Sequence, residues 1–217
     1  MGRKEDFIAF MMDAGVLTFG DFTTKSGRQT PYFINTGNYK TGAQISKLGD
    51  YYAECIINSG EAYDALFGPA YKGIPLSVAA ASSLYRNHGL DVPYCFNRKE
   101  VKDHGEGGGI VGYQPKAGDK LAIIEDVVTA GTAVRESIAL LAQIAPVKIE
   151  ALFVSVDRME RGTGELSALD ELRQTLNIKV YPIITVRDII ESIPAGDARR
   201  KKMEDYLAAY GAKQVSP

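Results

Sequence analysis

Two cysteines in 217 residues, Cys55 and Cys95, are too few for a disulfide framework, and no CxxC pair offers a zinc site. Both sit among apolar neighbours, as small core side chains of a reducing cytoplasm do. Charge of one sign is also missing. The 25 Lys and Arg balance 27 Asp and Glu to a net charge of −2. No basic excess points to a nucleic-acid surface, so cations that hold a phosphate must be local. No apolar run approaches the ~20 residues that span a bilayer. Residues 1–10 are charged and lack the apolar core of a signal peptide. These absences leave a folded cytoplasmic protein with no nucleic-acid or membrane partner.

What remains is an alternation of strand-like and helix-like segments, which predicts a single α/β domain over 1–217 with a mostly parallel sheet. The pattern predicts helices over 4–14, 43–59, 74–87, 134–144, 167–176 and 198–209. Strands are expected over 16–22, 32–34, 65–68, 93–97, 120–124, 147–156 and 180–184. One stretch departs from the pattern. Residues 100–112 hold five glycines beside Lys102, Asp103, His104 and Glu106. Such a stretch buries little and loses much entropy on ordering, which suits a mobile lid as well as a solvated hairpin tip.

Residues 120–133 are the most informative. An apolar run, Leu121 to Ile124, ends in Glu125 and Asp126. A small turn follows, Val127, Val128, Thr129, Ala130, Gly131, Thr132 and Ala133, and then a helical pattern. A helix N-terminus offers unpaired N–H groups and a positive dipole end, which suit a phosphate. The two acids suit a neighbouring pair of hydroxyls. One segment therefore asks for a ribose 5-phosphate. A second strand-to-helix turn, Gly68 to Gly73, places Lys72 and backbone N–H groups for another anion.

The 120–133 segment resembles the fingerprint of the type I phosphoribosyltransferases, enzymes that use phosphoribosyl pyrophosphate (PRPP). That resemblance implies their fold: a central sheet flanked by helices, with a small hood mainly from residues 1–40. It implies PRPP contacts at Lys25, Tyr71, Lys72, Arg98, Lys99, Lys102, His104 and 125–133. It also places a non-proline cis peptide at Ala70–Tyr71. The run Asn97 to Gly105, leading into the glycine-rich stretch, resembles the orotate-using members in particular. In those enzymes the lid completes the site of a partner subunit. A homodimer with shared sites is then implied, in which Lys102 and His104 act in the neighbour's pocket. With Lys72 and Asp126 they form the expected catalytic set. The base would meet Lys25, Phe33, Ile34, Thr129 and Arg158. A carboxylate-bearing base asks for an arginine at a strand tip, and Arg158 stands at one. Two aromatics are common where this chain has Phe33 and Ile34. Arg161 and Glu160 read as solvated. The implied cofactor is Mg2+, carried by pyrophosphate and water without direct protein ligands. A purine- or uracil-using relative and a PRPP-sensing regulator are the competing readings.

Overall fold

The computed structural model describes residues 4–24, 27–99 and 109–213. Helices are α1 (Lys4–Asp13), α2 (Gly42–Asn58), α3 (Gly73–His88), α4 (Thr132–Ile144), α5 (Ala168–Leu176), α6 (Val186–Ser192) and α7 (Ala198–Tyr210). Strands are β1 (Leu17–Thr23), β2 (Gln29–Ile34), β3 (Ala65–Gly68), β4 (Tyr94–Asn97), β5 (Ile110–Gly112), β6 (Lys120–Glu125), β7 (Lys148–Asp157) and β8 (Lys179–Thr185). β3 to β8 form one sheet in the order β5-β4-β3-β6-β7-β8. All its pairings are parallel except that of β5 with β4.

Alternation along the central strands builds a core on each face of the sheet. Leu66, Ala122, Ile124, Ala151 and Phe153 enter one apolar cluster with α1, α2, α3, α6 and α7. Their neighbours Ala65, Phe67, Leu121, Ile123, Leu152 and Val154 enter the other with α4 and α5. Fully burying a side chain the size of Leu or Phe contributes about 1.5–3 kcal/mol, so the two-sided strands anchor the fold.

β1 and β2 form a separate antiparallel hairpin, the hood. Its Tyr32 is fully buried and meets Tyr206 of α7 edge-on at 6.1 Å. The hood thus leans on the C-terminal helix as well as on the N-terminal segment.

Two elements depart from expectation. Residues 110–112, assigned by the sequence to the lid, pair with β4 as a strand, because Ile110 finds a buried place at 5% exposure. Of the rest of the expected lid, 100–108 lies outside the described residues. α6 was not expected. It follows β8 without a loop, capped by a reciprocal Thr185–Asp188 box, and buries Val186, Ile189 and Ile190.

From β3 the chain proceeds to β4 on one side, and from β6 to β7 and β8 on the other. The crevice between the carboxyl ends of β3 and β6 is therefore the topological switch point, where open α/β sheets bind ligands. Gly68 and Gly73 allow β3 and α3 to meet there. A methyl group at Gly68 would collide with the Gly73 carbonyl and the Ser77 hydroxyl. At Gly73 it would lie 2.6 Å from Pro69 Cδ and 2.8 Å from the Ile124 carbonyl.

Candidate active site

Three loops leave the carboxyl ends of the neighbouring strands β3, β6 and β7. The first follows β6. Glu125 and Asp126 end the buried strand, at 9% and 7% exposure. The Asp126 carbonyl accepts bonds from the Ser155 N–H at 2.9 Å and the Ser155 hydroxyl at 2.7 Å. The Tyr52 hydroxyl donates to the Glu125 carbonyl at 2.6 Å. β7 and α2 thus hold the backbone that carries both acids. Burial and the charge of Asp126 push the Glu125 carboxyl up to about 7. Burial acts on Asp126 in the same sense, but bonds from Lys72 and Thr36 outweigh it and leave that carboxyl below its ordinary range. The pair is therefore split between one readily ionised and one reluctantly ionised acid.

The turn beyond leads into an α4 start that no side chain caps. Gly131 caps α4 in a left-handed conformation (φ 71°) with no side-chain cap bond at that helix end. Thr129, Ala130, Thr132 and Ala133 are exposed, and Val127 and Val128 are half-buried. Val134, Ser137 and Leu141 bury the other side of α4 and fix its direction. The first-turn amides of α4 and its positive dipole end then suit the 5-phosphate.

The second loop follows β3. Its Ala70–Tyr71 peptide is cis, as the resemblance implied. The Ala70 N–H donates to Asn97 Oδ1 at 2.8 Å, which ties this loop to the end of β4. Lys99 Nζ lies 5.2 Å from the centre of the Tyr71 ring. Arg98 and Lys99 are both exposed. The Arg98 N–H bonds the Gly109 carbonyl at 2.8 Å, so the chain leaves and returns at one place on the rim. Lys72 Nζ crosses the crevice to Asp126 Oδ2 at 2.8 Å and to Thr36 Oγ1 at 3.2 Å. Thr36 in turn donates to the same Asp126 oxygen at 2.6 Å. Beneath this contact lies a cavity of about 410 Å³, walled by Tyr39, Ile45, Leu48, Tyr52 and Leu76.

The third loop follows β7. Arg158 is nearly buried, with its side chain 16% exposed. Its guanidinium lies 5.0 Å from the centre of the Tyr32 ring and pairs with Glu160 at 2.7 Å. Burial works against this cation, and the adjoining Tyr32 and Glu160 more than offset it, holding its pKa above the ordinary range. Glu160, expected in solvent, is 15% exposed and paired.

Residues 35–171 match the phosphoribosyl transferase domain. The orotate phosphoribosyltransferase of Clostridium beijerinckii is 50% identical over 220 residues, which cover 97% of this chain and 98% of that protein. The chain belongs to the orotate phosphoribosyltransferase family. The orotate phosphoribosyltransferase of Escherichia coli O45:K1 is 46% identical over 96% of this chain and 95% of its own. A crystal structure of orotate phosphoribosyltransferase from Francisella tularensis matches with a TM-score of 0.86 at 41% identity, covering 95% and 96% of the two chains.

Within that family frame, most of the expected residues fall on the three loops. Lys72 and Asp126 touch, Tyr71 and Lys99 touch, and 127–133 form the turn into α4 and its first residues. Arg158 stands at the end of β7. Lys25, Lys102 and His104 lie outside the described residues. Phe33 is exposed and packs beside Phe22 at 5.5 Å. Ile34, its neighbour on β2, packs against the core. Strand alternation sends the two side chains to opposite faces, so Phe33 is the one presented. Sequence reading missed Thr36, Tyr52, Ser155 and Glu160. The first three act on Asp126 or its strand from distant parts of the chain, and no local pattern announces them. Glu160 sits two residues from its partner, which was the available signal.

Proposed function

We propose that this site transfers the ribose 5-phosphate of PRPP to orotate, giving orotidine 5′-monophosphate and pyrophosphate, the phosphoribosyl step of pyrimidine nucleotide synthesis. The observation that carries it is the Lys72–Asp126 contact across the switch point, beside an uncapped helix end. It sets a ribose-binding acid, a pyrophosphate-binding cation and a phosphate turn around one sugar. The α4 turn takes the 5-phosphate, and Glu125 and Asp126 take the ribose hydroxyls. As pyrophosphate leaves, positive charge grows on the sugar and negative charge on the leaving group. The two acids face the first, and Lys72, Arg98 and Lys99 meet the second, to which the resemblance also assigns Lys102 and His104. Ribose hydroxyls replace Lys72 on Asp126, and its ammonium swings to the pyrophosphate. The bond from the orotate ring nitrogen to the anomeric carbon forms as the bond from that carbon to pyrophosphate breaks, and the proton on the ring nitrogen passes to the leaving pyrophosphate or to water. Lys25, Phe33, Ile34, Thr129 and Arg158 form the base site, with Ile34 contributing through its backbone.

Mg2+ fits this donor set. Glu125 and Asp126 are hard oxygen groups that would take its water ligands, and pyrophosphate oxygens would hold it directly. When bound, it neutralises leaving-group charge. Both cysteines are free thiols, pushed up to about 12 by burial, which supports a reducing cytoplasm as the setting. No helix among the described residues is long and apolar enough to cross a membrane.

Loss of orotate absorbance with PRPP and Mg2+, against adenine, hypoxanthine and uracil controls, tests the reaction. Turnover of another base in place of orotate would overturn it. The homodimer with shared sites has its own test. Lys72→Ala and Lys102→Ala proteins, each strongly impaired alone, should recover activity when mixed, since hybrid dimers hold one intact site. No recovery after proven subunit exchange would refute the sharing.

A further inference from the structure

Glu160 is the residue whose setting the reaction does not yet explain. Its Oε1 accepts three bonds: from Arg158 Nε at 3.0 Å, Arg158 Nη2 at 2.7 Å and the Tyr32 hydroxyl at 2.8 Å. Its Oε2 lies 4.0 Å from Arg28 Nη1. The backbone is shaped to bring it there. Met159, between the two partners, has a left-handed φ of 52°, which a side-chain-bearing residue adopts only under local constraint. Its N–H is held by the buried Asp157 carboxylate at 2.8 Å. Glu160 itself bridges to Gly211 beyond α7. A solvated glutamate needs none of this.

We propose that Glu160 is a positioning residue that sets the enzyme's preference for a carboxylate-bearing pyrimidine, by fixing the edge of Arg158 that the substrate meets. This rests on the reading that Arg158 takes the orotate carboxylate. A guanidinium offers donors along two usable edges. Glu160 takes the Nε–Nη2 edge with a single oxygen, and the Tyr32 ring fixes the plane. The end-on Nη1–Nη2 edge is left for a second carboxylate. Glu160 also gives the nearly buried arginine a counter-ion while the base site is empty, where an unpaired charge would be costly. Without it, the guanidinium turns about its last torsions, and the substrate must bear the cost of ordering it.

Glu160→Ala and Glu160→Gln in the intact enzyme test this, with kcat, both KM values and the Arg158 Nε–H nuclear magnetic resonance signal of the free protein, assigned by its loss in Arg158→Lys. In Glu160→Ala the orotate KM should rise about 10-fold while kcat and the PRPP KM stay within about 2-fold. Glu160→Gln should bring the orotate KM back to within about 3-fold of the parent, because its amide oxygen still accepts both bonds. The Nε–H signal should shift and broaden in the alanine variant and hold in the glutamine variant. An unchanged orotate KM in Glu160→Ala overturns the proposal. So does a parallel rise in both KM values with a lowered Tm, which marks a mere brace. Should the parent protein fail to consume orotate, the base assignment falls first. The Nε–H signal then decides alone, and its persistence in Glu160→Ala overturns the positioning role.

Discussion

Each end of the crevice holds a cation against a resident carboxylate, and the two pairs are built differently. At the ribose end, Lys72 reaches Asp126 with a side chain that is 63% exposed. At the base end, Arg158 and Glu160 are 16% and 15% exposed and share two bonds, with an aromatic ring beneath. A lysine ammonium is a point charge on a flexible stem, while a guanidinium is a planar fork that gains from fixed geometry. On the proposed reaction, Lys72 leaves its partner and follows the departing pyrophosphate. Arg158 cannot leave at low cost, and recognition of a planar carboxylate gains from its staying. On that reading, mobility sits where charge moves during the reaction, and rigidity sits where identity is read.

The contrast breaks most visibly at Lys72. Lys72→Ala should lower kcat about 100-fold, about 2.7 kcal/mol of barrier, because the leaving group loses a charge matched to its departure. A normal kcat with only the PRPP KM raised would make Lys72 a static anchor and erase the difference between the two ends. A smaller effect is expected from Arg158→Lys. Charge is kept and the fork is lost, so the orotate KM should rise about 10-fold with the PRPP KM nearly unchanged. Equal losses for both substrates would mean that the base end also serves the sugar.

The smallest effect sharpens the ribose end through pH. Burial and Asp126 raise the Glu125 carboxyl from 4.5 to about 7, so the fold favours its protonated form. The stability linked to that form is complete below the ordinary carboxylate range and is lost as pH climbs through the raised value. Thermal melts of the ligand-free protein should therefore show Tm falling between about pH 5 and pH 7.5, more steeply than in Glu125→Gln. Parallel curves for the two proteins would remove Glu125 from the titration.

Much of the ribose end was legible before any coordinates. The apolar run into Glu125 and Asp126, and the small turn into a periodic helix, are consecutive in sequence, so local chemistry spells them out. β3 begins and ends where expected, at 65 and 68, and α2 and α3 lie within one residue of their expected bounds. The base end was less legible because its parts meet through tertiary contact. Glu160 reads as solvent-facing unless the chain reverses at Met159, and no periodic pattern signals a left-handed methionine. Tyr32, Tyr206 and Arg28 join that cluster from both ends of the chain. α6 was missed because seven residues give a helical period barely two turns to show itself. β5 was missed because only Ile110 of its three residues is buried.

The meeting of β3 and α3 at Gly68 and Gly73 has a consequence for anyone diversifying this enzyme. These positions admit no side chain without moving a strand off a helix, and the Lys72 loop lies between them. They act as fixed points in sequence space, and libraries that vary them will be filled with unfolded chains. On the proposed reading Phe33 and Glu160 serve the base end, and neither belongs to the six-stranded sheet. New base preferences should be sought by varying those two together, with the glycines left untouched.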